Sequence, residues 1–173
     1  MRTEPGGSGR EDALLFSFPP IYDRSSRILI LGTMPSPASL RAGMYYSHPR
    51  NAFWRLMGDL TGDDPGRSNA EKKAFLLRRH IALWDTLESC VRPSSADSDI
   101  AAAAPNDIPR LLAGAPRIGA VFLNGGAALA FYRRYQRSVG LPFFGLPSTS
   151  PANARMSYEE KLRAWEIVRA HLQ

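Results

Sequence analysis

The sequence predicts an α/β fold, a single three-layer α/β/α domain built on a short, mainly parallel central sheet. Three observations predict it. Short apolar runs stand at residues 27–31, 80–84, 118–123 and 141–146. Stretches of helical periodicity separate them, the order expected of parallel strands joined by crossover helices. The 173 residues are 44% hydrophobic and 22% charged, ordinary composition for one globular domain of about 100–200 residues.

Each element has its own signal. Residues 27–31 (RILIL), closed by Gly32, have the pattern of a buried strand. The stretch 33–50 carries Pro35, Pro37 and Pro49 together with Gly43 and reads as a long loop. From Asn51, NAFWRLMGDL sets Phe53, Leu56, Met57 and Leu60 on one face of a helix that ends near Gly62. Residues 69–79 form a second helix whose basic C-terminal residues complement its dipole. A second strand follows at 80–84 (HIALW), then a Ser-, Asp-, Pro- and Ala-rich stretch, 92–106, read as loop with a short helix. Residues 107–113 are a further helix. IGAVFL at 118–123 is the clearest strand, and after Asn124, Gly125 and Gly126 a helix runs from 127 to about 137. LPFFGL at 141–146 is a fourth strand interrupted by Pro142 and Gly145, 147–153 is loop, and 157–172 is an amphipathic closing helix. Ser157 and Glu160 have the spacing of a capping box. Residues 1–12 read as a flexible tail ahead of a domain over 13–173. Ligands of such sheets bind beyond the carboxyl ends of the strands, so the loops after Leu31, Trp84 and Leu146 are where chemistry is expected.

Composition narrows the function classes. A single cysteine, Cys90, excludes an internal disulfide framework and cysteine-based zinc or iron–sulfur sites. No apolar run approaches the roughly 20 residues of a membrane span, and the first residues lack the apolar core of a secretory signal, so a cytoplasmic protein that does not engage membranes is expected. The net charge is +6, and only Lys72, Lys73 and Lys161 among the 22 basic residues are lysines. Arginine forks suit phosphate, which points to nucleic acid; an arginine-rich composition with no such contact fits the charge equally well. GxGxxG, GxxxxGK[ST] and GxSxG are all absent, and His48, His80 and His171 are scattered. Metal-free, cofactor-free chemistry without a covalent nucleophile is the expectation.

The segment GMYYSHPRNAFW is the first with functional content. Tyr45 and Tyr46 in a Gly/Pro loop at a strand end form a flat wall for a ring, or pack on the next helix. Asn51 either caps that helix or offers its amide to a ligand. Tyr132, Tyr135 and Trp165 lie at helical spacing and read as packing residues, and Cys90 as an inert buried thiol.

Taken together, GTMPS, YYSHPRNAFW, ALWDTLESCVRPSSADSDI, FLNGG and LPSTSPANAR, in this order from Arg27 to the last helix, resemble the uracil-DNA glycosylase superfamily. Within it they are most similar to the hypoxanthine-DNA (deoxyinosine) glycosylase branch, which is related to the mismatch-specific uracil-DNA glycosylases. The resemblance implies an enzyme that flips a deaminated base out of DNA and hydrolyses its N-glycosidic bond. Met34 stands where the mismatch-specific branch has a water-positioning asparagine, and Leu146 where uracil enzymes have a histidine. Both departures point away from ordinary uracil excision.

Asn51 then looks like the catalytic group, donating to N3 of the departing purine as negative charge builds there. Tyr46 matches the aromatic that stacks on the base. Asp85 matches the base-reading position, where a carboxylate accepts the N1–H of hypoxanthine, or orients or deprotonates the water; as a bare sequence feature its alternative is a helix cap. Asn124 reads the purine or only holds its loop, and Thr33 and Met34 complete the base-binding set. Ser36, Arg50, Ser148, Thr149, Ser150 and Arg155 are the expected DNA contacts. No lysine falls in this pocket, so a monofunctional glycosylase without a Schiff-base step is implied, acting as a monomer on DNA with deaminated bases. Uracil or xanthine excision on the same fold, or damaged-DNA binding without catalysis, are the alternatives.

Overall fold

The computed structural model describes residues 13–173, and the tail expected at 1–12 lies outside the described residues. Its core is a four-stranded parallel sheet in the order β3-β2-β6-β7, made of β2 (Ile28–Gly32), β3 (Ile81–Asp85), β6 (Ala120–Asn124) and β7 (Phe143–Leu146). Strand alternation divides its side chains between two helical layers. Ile28, Ile30, Ile81, Leu83 and Phe122 face α2 (Phe53–Thr61), α3 (Asn69–Arg78) and α6 (Tyr158–Leu172). Leu29, Leu31, Ala82, Val121 and Leu123 face α4 (Ile108–Gly114) and α5 (Gly126–Tyr135). The three-layer α/β/α architecture is the one expected.

The helix after Asn51 packs as its periodicity requires. Phe53, Leu56, Met57 and Leu60 are its buried residues, and Gly62 ends it at φ 67°; each buried side chain of this kind contributes about 1.5–3 kcal/mol. Ser157 and Glu160 make both bonds of a capping box at the start of α6. Trp165 and Tyr132 are fully buried, and so is Cys90.

Two expectations are corrected. The segment 33–50 is not all loop, because α1 (Pro37–Ala42) forms within it. Ser36 caps this helix by accepting from the Ser39 N–H, Pro37 sits where a missing N–H costs nothing, and Gly43 closes it at φ 70°. The region 92–106 contains a strand. β1 (Leu14–Phe16), β4 (Leu87–Val91) and β5 (Ala101–Pro105) make a second, antiparallel sheet in the order β1-β4-β5. A single 3₁₀ turn at Asp97–Asp99 precedes β5. This sheet buries Leu87 and Cys90 with Met34, alongside Leu15 and Phe131. Tetra-alanine has little strand propensity of its own, so β5 exists through its pairing with β4.

The bend from β3 into β4 is fixed by polar groups. Thr86 donates twice to the Gly32 carbonyl, from its N–H (2.8 Å) and its hydroxyl (3.0 Å). Buried Asn106 donates from Nδ2 to the carbonyls of Asp85 (2.8 Å) and Leu87 (3.0 Å). Asp85 is thereby held at the turning point, at the carboxyl edge of the sheet.

Candidate active site at the carboxyl edge of the sheet

A cavity of about 480 Å³ opens beyond the carboxyl ends of β2, β3 and β6. Gly32, Thr33, Met34 and Ser36 come from the end of β2, Asp85 from β3, Asn124 from β6, and Ser148, Thr149 and Ser150 from the loop after β7. Tyr46 and Asn51 close it from the side. Of the expected site residues, only Arg50 and Arg155 do not line it; both are exposed. A second concavity of about 610 Å³, lined by Arg27, Arg78, Arg79, His80 and Arg169, lies at the amino ends of β2 and β3 and shares no residue with the first.

Buried polar groups without partners congregate here. Among the described residues six buried side-chain atoms have no hydrogen-bond partner, and four of them, Thr33 Oγ1, Tyr46 Oη, Asp85 Oδ2 and Arg92 Nε, belong to residues that line the smaller cavity. Native proteins leave few such groups; His80 Nδ1 is the one such atom at the larger concavity, so the concentration of four around the smaller cavity favours it as the site of a polar ligand.

Asp85 is 2% exposed. Burial, helped by the charge of Asp97 and opposed by Arg92, pushes its carboxyl up to about 8. The carboxyl is thus largely protonated at neutral pH and is a donor as well as an acceptor, where the sequence reading treats it as an acceptor only. Gly32 pairs with Asp85 in register, and a β-carbon on residue 32 would lie 2.6 Å from Asp85 Oδ1 and 2.8 Å from Tyr46 Oη. Glycine is therefore required at this strand end for close approach.

Tyr46 lies in the left-handed region at φ 55°, a strained conformation for a bulky residue of the kind found at binding sites. Its ring packs on Phe53 with centroids 4.2 Å apart while the residue also lines the cavity. Tyr45, by contrast, is buried and donates to the Pro19 carbonyl (3.0 Å), so its main role is packing.

Asn51 accepts the Phe53 N–H on Oδ1 at 3.0 Å. That bond uses the oxygen and leaves the amide nitrogen as the free end, which settles the orientation of the amide. The next residue ties the site together, since the Ala52 N–H donates to the Thr149 carbonyl (3.0 Å). Asn124 and Thr149 bond reciprocally. Asn124 Nδ2 donates to Thr149 Oγ1, and the Thr149 N–H donates to Asn124 Oδ1, both at 3.0 Å. Thr149 is 1% exposed, so its side chain is enclosed by this bonding. Ser148 accepts from the Ser150 N–H at 3.2 Å, and both serines are partly exposed at the rim.

Arg92, Asp97 and Asn153 also line the cavity and escape sequence reasoning. Arg92 follows the strand Leu87–Val91 and stands directly before Pro93, a basic residue where chain direction changes; that juxtaposition is the only sequence signal for it. Among the described residues no cluster of three or more His, Cys, Asp or Glu side chains could hold a metal ion, and no helix is long and apolar enough to cross a membrane.

The family model for the uracil DNA glycosylase superfamily matches residues 19–169. The chain belongs to the uracil DNA glycosylase superfamily. Among its superfamily relatives, a Methanosarcina acetivorans protein named hypoxanthine DNA glycosylase is 37% identical over 155 residues, spanning 89% of this chain and 97% of that one. A Methanosarcina barkeri protein of the same name is 35% identical over 149 residues, 86% of this chain and 93% of that one. The NMR solution structure of a uracil DNA glycosylase candidate from Methanosarcina acetivorans superposes with a TM-score of 0.81 at 35% identity, covering 92% of this chain and 99% of that one. Within the superfamily, the residues gathered at the carboxyl edge here include methionine at position 34 and leucine at 146.

Proposed function

We propose that the chain is a monofunctional DNA glycosylase that removes hypoxanthine from DNA and acts as a monomer. The observation that carries this reading is the Asn51 amide. Its oxygen is held by the Phe53 N–H, so the nitrogen is the end available to a base in the cavity. A donor there meets N3 of a purine. As the N-glycosidic bond breaks, its electron pair moves onto the base, and the hydrogen bond from Asn51 strengthens as that charge grows. It therefore favours the transition state over bound substrate. The sugar meanwhile becomes oxocarbenium-like and bonds water at C1′, and the proton that water sheds passes through solvent to the departing base.

The remaining residues hold and read the base. Tyr46 stacks on it, worth about 1–3 kcal/mol and tolerant of base identity. Protonated Asp85 offers an acceptor to N1–H and a donor to a neighbouring carbonyl, the complement of a lactam edge. An ionised Asp85 would oppose the charge building on the departing base, so its protonated form is the active one. Asn124 serves by clamping Thr149, which fixes the loop that presents Ser148 and Ser150 to the DNA backbone. Ser36 joins them at the rim, with Arg50 and Arg155 reaching phosphates from outside the cavity. Lys161 turns its ammonium to the Ser150 carbonyl and does not line the cavity, consistent with hydrolysis without a Schiff base.

The test is alkali-revealed strand cleavage of oligonucleotides carrying inosine, xanthine or uracil, with wild type and Asn51→Ala side by side. Cleavage at inosine that falls about 10²–10³-fold in the variant, with DNA binding retained, is the expected result. Cleavage at uracil alone would reject the base assignment, and binding without cleavage would make the chain a damaged-DNA binder.

A further inference from the structure

Arg92 is the only basic side chain among the described residues that line the cavity. Its side chain is 2% exposed, so the guanidinium is almost wholly removed from water. Yet it is sparsely satisfied. Nη2 donates to the Pro35 carbonyl at 2.7 Å, Nη1 stands 3.8 Å from Asp97 Oδ1, beyond hydrogen-bond distance, and Nε has no partner. The Asp97 side chain is 44% exposed and so is shared with solvent. A guanidinium has five N–H donors and no acceptor. With Nη2 bonded and Nε enclosed, Nη1 is the donor left in the cavity wall, and it calls for an acceptor from whatever fills the cavity.

Resting on the reading above, we propose that Arg92 is the specificity-determining residue that selects a 6-oxopurine over a 6-aminopurine. Deamination of adenine replaces an amino group, a donor, by a carbonyl, an acceptor. A donor-only side chain turns that single change into discrimination. The carbonyl at C6 accepts from the guanidinium, one half of the pairing that arginine uses on guanine in duplex DNA. An amino group there would face N–H with N–H and leave both buried groups unpaired, the kind of mismatch that separates substrates by large factors. The guanidinium is braced for this. Arg92 follows β4, and its bond to Pro35 ties that strand end to the loop after β2, so both walls of the cavity hold the fork in place.

The experiment is a substrate-by-variant comparison under single-turnover conditions with enzyme in excess. Wild type, Arg92→Met and Arg92→Lys are assayed on DNA carrying deoxyinosine and on DNA carrying deoxynebularine, the purine with hydrogen at C6. Arg92→Met is expected to lose about 10²-fold or more on deoxyinosine and less than threefold on deoxynebularine. Arg92→Lys keeps the charge without the fork and is expected to recover at least tenfold of the loss on deoxyinosine. Equal losses on both substrates would overturn the proposal, because a merely structural arginine cannot know what stands at C6. Thermal unfolding checks each variant; if Arg92→Met does not fold, the same comparison is read on Arg92→Lys, where a selective loss on deoxyinosine supports the proposal and an equal loss overturns it. Failure of wild type itself to release hypoxanthine would overturn the glycosylase reading and the role of Arg92 with it, an outcome separate from equal losses in an active enzyme.

Discussion

Gly32 and Asp85 are register partners at the carboxyl ends of adjacent parallel strands, and the carboxyl of Asp85 occupies the space that a β-carbon on residue 32 would need. The Tyr46 hydroxyl would stand 2.8 Å from the same β-carbon. Gly32→Ala is therefore predicted to displace two pocket side chains at once while leaving the sheet folded. Misplacement of about 1 Å costs on the order of 10²-fold in rate, and that is the expected loss of base release. Gly126→Ala, where a β-carbon meets nothing within 4 Å, is the control and should stay near wild type. Wild-type rates for Gly32→Ala would mean that Asp85 and Tyr46 need not sit where they do.

The raised pKa of Asp85 makes a two-part prediction. In the unfolded chain this carboxyl ionises near 3.8, whereas in the fold it holds its proton to about 8. The folded state then binds the extra proton between those values, so stability from this group is complete below about pH 4 and is lost as pH rises to about 8. Asp85→Asn removes the titration. Its unfolding temperature should gain on wild type steadily from pH 4 to pH 8 and run parallel above that. For catalysis, wild-type single-turnover rates should fall as pH rises through about 8, and Asp85→Asn, which keeps a donor and an acceptor, should be flat across that range. A rate that rises through pH 8 would instead make Asp85 a base that activates water.

The parts of the fold written in local periodicity and capping were legible in the sequence, and the parts created by pairing were not. The stripe of Phe53, Leu56, Met57 and Leu60 and the capping box of Ser157 and Glu160 depend on neighbours three or four residues away. Strand Ala101–Pro105 depends on β4, and nothing in four alanines announces it. Helix Pro37–Ala42 was hidden for a different reason: Pro37 at a first-turn position starts a helix, but counted with its neighbours it suggests a loop. In the site, Asn51, Tyr46, Asp85 and Asn124 are found because the resemblance attaches to short motifs at strand ends. Arg92 and Asp97 enter the cavity by way of the antiparallel sheet that the sequence conceals, so their place was concealed with it.

The reciprocal bonds between Asn124 and Thr149 predict a stability effect separable from chemistry. Thr149→Val keeps shape and burial but removes the hydroxyl that accepts from Asn124 Nδ2. Leaving that buried donor unpaired should cost about 1–2 kcal/mol of folding stability, measured by denaturant unfolding. DNA binding should weaken with it, because the same loop presents Ser148 and Ser150. A variant as stable as wild type would show that the loop does not need this clamp.

Arg50 and Arg155 are exposed and stand outside the cavity, in the loop before α2 and the loop before α6 that flank it. If they meet phosphates, their contribution is counterion release, which is independent of the base and diminishes with salt. Arg50→Ala and Arg155→Ala should each weaken binding to damaged and undamaged DNA by the same factor. Each should also reduce the slope of log K against log salt by about 1 and leave the single-turnover rate at saturating enzyme unchanged. Titrations of fluorescent duplexes at several salt concentrations measure the slope directly. An unchanged slope would return that arginine to the solvated surface, and a loss confined to inosine-containing DNA would place it at the base instead of the backbone.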